Sequence, residues 1–108
     1  MKFTKYSIYV GLHDKDNRTC NYDMVTYEAL FNRFMREDMV NFFDSSTVYN
    51  TAGHWKGTAE PSRVIEILWN EDEPAIFNTI SDLAQALKDL LNQEAVLITQ
   101  ETVHGDLI

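Results

Sequence analysis

Polar and apolar positions along the chain change period several times, and each change marks an element. Tyr6, Ile8, Val10 and Leu12 alternate with Ser7, Tyr9, Gly11 and His13, a period of two that predicts a strand with one apolar face and one mixed face. The run His13-Asp14-Lys15-Asp16-Asn17-Arg18 is dense in turn formers and ends it. From Met24 the period lengthens. Tyr27, Leu30, Phe31 and Phe34 recur at helical spacing, with Asn21, Asp23 or Thr26 placed to cap, which predicts a helix closing near Arg36 to Asp38. Met39, Val40, Phe42 and Phe43 read as a buried link, and Asp44-Ser45-Ser46 as a turn.

The stretch from Thr47 to Trp69 reads as a β-hairpin. Val48, Tyr49 and Thr51 favour one strand, and Val64, Ile65, Ile67 and Trp69 favour the next, with the breaker-rich segment from Gly53 to Pro61 as the bend. Asp72 and Pro74 suit a helix start, and Ile76, Ile80, Leu83, Leu87 and Leu90 follow at spacings that place them on one face. Ala95 to Thr102 is apolar and β-branched, which predicts a last strand. The order is β-α-β-β-α-β. Right-handed crossovers then lay both helices on one face of a four-stranded antiparallel sheet, an α+β ferredoxin-like sandwich whose other face stays open. Ser7, Tyr9 and His13 are expected on that open face, with Glu66 alongside.

Composition narrows the partners more than the chemistry. A chain of 108 residues has room for one domain with its own core. Seventeen acidic against nine basic residues give a net charge of −8, which opposes binding to nucleic acid, whose phosphates need clustered Lys and Arg. Cys20 is the only cysteine, so no internal disulfide can form. The N-terminus carries Lys2 and Lys5 but reaches Asp14 without an apolar signal region, and no run approaches membrane-spanning length. A cytoplasmic protein that does not enter membranes is the expectation.

Candidate chemistry concentrates on five residues: Tyr9, His13, His54, Trp55 and Glu66. His13 beside Glu66 is an acid-base pair if the imidazole reaches a substrate proton, and a solvated cross-strand pair otherwise. His54 and Trp55 lie in or near the expected bend, where they can line a ligand pocket; a Trp beside a bend also serves as a plug on the sheet rim. Cys20 and His13 lack a third partner for nucleophilic catalysis. His13, His54 and His104 lack metal-ligand spacing, and no phosphate loop or dinucleotide fingerprint occurs, so no metal and no cofactor is expected.

Three short patterns carry a family resemblance: Tyr9-Val10-Gly11, Gly53-His54-Trp55 and Glu60-Pro61-Ser62. Together they resemble a bacterial family of small proteins designated a domain of unknown function. The resemblance runs from about Tyr6 to about Thr102; it implies the fold and implies no reaction. Three functions remain open. The first is a small binding or interaction module, a homodimer through its open sheet face. The second is a cofactor-independent small-molecule enzyme with a His, Tyr and Glu pocket, and the third is an acidic mobile-element inhibitor of a basic host protein.

Overall fold

The computed structural model describes residues 1–11, 24–43, 45–55, 57–70 and 76–108. In chain order the elements are β1 (Lys2–Gly11), α1 (Met24–Glu37), a short 3-10 helix (Met39–Asn41), β2 (Thr47–Trp55), β3 (Thr58–Asn70), α2 (Phe77–Leu90) and β4 (Leu97–His104). The strands form one sheet in the order β2-β3-β1-β4, with every neighbouring pair antiparallel. This is the ferredoxin-like α+β sandwich that the element order predicts, with β1 and β3 at its centre.

The period-two and helical patterns meet in one core. Tyr6, Ile8 and Val10 of β1 and Ile65 and Ile67 of β3 pack under Tyr27, Phe31 and Phe34 of α1 and under Ile80, Leu83, Ala84 and Leu87 of α2. Ile80 and Leu87 are fully buried, whereas Leu90 and Ile76 are half-buried at the margin of the helix stripe. Phe43 meets Trp69 edge to face at 5.9 Å, a geometry that aromatic quadrupoles favour.

Arg63 pins α1 onto the strands. Its guanidinium lies 4.9 Å from the centre of the Phe31 ring and 5.5 Å from that of Tyr27, pairs with Glu28, and donates through Nε to Asn50 Oδ1 at 3.1 Å. Tyr27 in turn donates to the Gly11 carbonyl at 3.4 Å. One cation therefore joins β3, β2 and α1, beside the end of β1.

Several expectations need correction. The hairpin has no loose bend from Gly53 to Pro61: the ladder continues to Trp55 opposite Thr58, and Gly57 lies in the turn. Gly57 supplies the positive φ of 78° that a tight turn requires. Pro61 sits inside β3, opposite Ala52. It is tolerated because β1 ends opposite Ser62, so a missing N–H on that flank breaks no ladder bond. The link after α1 is only half buried, since one helical turn places Met39 and Phe43 inward and leaves Val40 and Phe42 exposed at 56% and 55%. Helix α2 begins at Phe77 with Ile76 as a cap that makes no side-chain bond; Asp72 and Pro74 lie outside the described residues.

A candidate ligand-binding sheet face

Strand alternation sends Tyr6, Ile8 and Val10 to the helices and Lys5, Ser7 and Tyr9 to the other face. The ladders then arrange that face in rows. Leu97, Tyr9, Val64 and Tyr49 make one row across the sheet; Thr99, Ser7, Glu66 and Thr47 make the next; Glu101, Lys5 and Leu68 make a third. Toward the hairpin, Gly11, Ser62 and Thr51 form a row of small residues in which the Thr51 and Ser62 hydroxyls share a hydrogen bond of 2.5 Å.

None of the described helices packs on this face, yet its centre is buried. Val64 is 1% exposed and Ser7 is 3% exposed. In the Val64 row the flanking side chains are Tyr9 and Tyr49, themselves about two-fifths exposed. Among the described residues the Ser7 hydroxyl has no hydrogen-bond partner, a rare condition for a buried polar group.

Charge is ordered around this centre. Tyr49 donates its phenol proton to Glu66 Oε2 at 3.3 Å, and the Lys5 ammonium bonds Glu101 Oε1 at 2.7 Å. Loss of water around its ring, followed by the negative Glu66, raises the Tyr49 pKa above its ordinary 10.0. Hydrogen bonding to Glu101 raises Lys5 above 10.5, with Glu66 adding to the effect. At neutral pH the phenol is a donor, the amine a cation, and acids flank both.

Of the five residues named from sequence, Tyr9 and Glu66 meet on this face as diagonal neighbours, since Glu66 stands opposite Ser7 and Val64 opposite Tyr9. His13 lies outside the described residues, as do Leu12 and Cys20. His54 falls on the alternate parity of β2 with Val48, Asn50 and Ala52, the parity of the helix side, and is exposed. Trp55 ends β2, and its side chain lies outside the described part. Sequence reading missed Tyr49, Lys5 and Glu101 as site residues. Tyr49 and Glu101 were each legible as strand positions, but only the register tells which neighbours they have.

Among the described residues, no group of three or more His, Cys, Asp or Glu could hold a metal ion. No described helix is long and apolar enough to cross a membrane.

No protein-family model matches the chain, and no curated protein does. Solved structures match it by shape. A phage SAM lyase in complex with S-methyl-5'-thioadenosine superposes with a TM-score of 0.63 at 16% identity, over 95% of this chain and 90% of that one. The phage SAM lyase in its apo state gives 0.63 at 14%, over 99% and 93%. CPII, a nitrogen regulatory PII-like protein from Thiomonas intermedia, aligns with a TM-score of 0.47 at 10% identity, over 100% and 98%. At these identities the likeness to the two SAM lyase structures shows the fold alone.

Proposed function

We propose that this protein is a small-ligand module that binds S-adenosylmethionine on its open sheet face and cleaves it as a lyase. The observation that carries the reading is the Tyr9, Tyr49 and Glu66 cluster beside a buried Ser7 whose hydroxyl has no partner among the described residues, on a fold shared almost end to end with a phage SAM lyase. Two phenol rings offer a nucleoside a stacking surface and attract a sulfonium cation through their π faces. A net charge of −8 favours approach of a cation. Attack of the substrate's own α-carboxylate oxygen on its γ-carbon closes a homoserine lactone as the C–S bond breaks, and the electron pair moves onto sulfur, so the sulfonium leaves as neutral S-methyl-5'-thioadenosine.

The Tyr49 to Glu66 hydrogen bond gives the carboxylate a fixed orientation, and rigid strands rather than loops hold both groups. The reading joins two of the functions open from sequence, the binding module and the cofactor-independent enzyme, with Tyr and Glu retained in the pocket.

Incubating the protein with S-adenosylmethionine and following S-methyl-5'-thioadenosine by chromatography tests the reading. Product in excess of the slow spontaneous background, reduced at least about tenfold in Glu66→Gln through loss of a charge-assisted contact, is the expected result. Binding of S-methyl-5'-thioadenosine without turnover would reduce the function to a binding module. Neither binding nor turnover would overturn both.

A further inference from the structure

We propose that Glu66, Lys5 and Ser7 form a subsite for an α-amino-acid zwitterion, which deepens the reading above by naming what holds the amino-acid end of the ligand. The signs alternate across the open face: Glu66 on β3 stands diagonal to Lys5 on β1, and Glu101 on β4 stands directly opposite Lys5. Diagonal neighbours on adjacent strands have β-carbons roughly 7 Å apart, which leaves a short polar gap between the Glu66 and Lys5 heads. An α-amino acid carries its ammonium and carboxylate on one carbon and bridges such a gap with each charge facing its opposite.

Existing contacts leave the required valences open. Tyr49 occupies Glu66 Oε2, so Oε1 remains to accept from the ligand ammonium. Glu101 takes one donor of Lys5, and an ammonium has three, so two remain for the ligand carboxylate. Ser7 lies between the two charged groups, opposite Glu66 and two residues from Lys5 on the same face. Ser7 is 3% exposed and its hydroxyl has no partner among the described residues, a cost that a ligand carboxylate removes by accepting from it.

Calorimetric titration with S-methyl-5'-thioadenosine and with S-adenosylhomocysteine tests this, because the second ligand adds the zwitterion and is not a sulfonium substrate. The wild-type protein is expected to bind S-adenosylhomocysteine about tenfold more tightly, in line with one or two charge-assisted hydrogen bonds. Lys5→Met removes that advantage while leaving S-methyl-5'-thioadenosine binding within about twofold, and Ser7→Ala reduces the ratio of the two affinities several-fold. Equal affinity for the two ligands in the wild type, or an equal loss of both in Lys5→Met, overturns the subsite and leaves the nucleoside site standing. If neither nucleoside binds, the functional reading falls, and titration with L-methionine decides the subsite alone. Backbone amide shifts at Ser7, Glu66 and Thr99 that vanish in Lys5→Met retain it; their absence overturns it.

Discussion

At the scale of single residues, the two perturbed groups set a pH limit. Tyr49 and Lys5 both hold their protons more tightly in the folded chain than in the unfolded one, so their contribution is complete below about pH 10 and is lost as pH rises through the folded values. Urea midpoints are expected to be flat through neutrality and to fall above about pH 10, with a shallower fall in Tyr49→Phe. A curve that Tyr49→Phe leaves unchanged would assign the alkaline loss to other groups. Arg63 is a different case, since its side chain is 11% exposed and stacks on two rings. Arg63→Ala should cost about 2–3 kcal/mol through lost stacking, packing and charged hydrogen bonds. Glu28 is 39% exposed, so Glu28→Gln should cost below about 1 kcal/mol. Chemical denaturation of the two variants measures the difference, and equal losses would mean that the ion pair rather than the stack carries the clamp.

Elements were legible to different degrees. Helix α2 follows from its apolar spacing alone, and Leu87, fully buried on that stripe, should cost roughly 2–5 kcal/mol when replaced by Ala. A loss below about 1 kcal/mol by denaturant titration would place α2 outside the core. The hairpin was legible as two strands and illegible in its turn. Gly53, Gly57 and Pro61 all signal a break by local rules, but only Gly57 carries positive φ among them. Gly53 and Pro61 are absorbed into the ladder because one faces the hydroxyl of Ser62 at an ordinary contact distance and the other lies where β1 has ended. The link from Met39 to Phe43 was read as buried throughout. A single helical turn in fact has two sides, and the core takes only one.

For the whole molecule, the open sheet face and the edge strands β2 and β4 raise the matter of self-association. A homodimer closing over the open face is the arrangement we propose, because Tyr9, Tyr49, Leu68 and Leu97 leave apolar surface exposed there. Sedimentation at tens of micromolar, with and without S-methyl-5'-thioadenosine, tests it. A dimer is expected in both conditions, tightened by ligand if the partner covers the site; a monomer in both would leave the face to the small ligand alone.

The sequence by itself determined the number and order of the elements, the helix stripes and the two faces of β1, because each follows from a local period. That was enough for the ferredoxin-like sandwich, for the two central strands and for Tyr9 and Glu66 on a common face. It did not determine which side chains stand beside them. Tyr49 reaches Glu66 across 17 residues of chain, and Lys5 meets Glu101 from the opposite end of the protein. Those meetings depend on ladder register, which the turn at Gly57 and the long crossovers set together, and a slip of one residue would send every side chain of a strand to the other face. The site is therefore a product of the tertiary structure, which placed His54 on the parity of the helix side, brought Tyr49 to Glu66 with Lys5 diagonal to it, and buried Ser7 among them with no partner among the described residues.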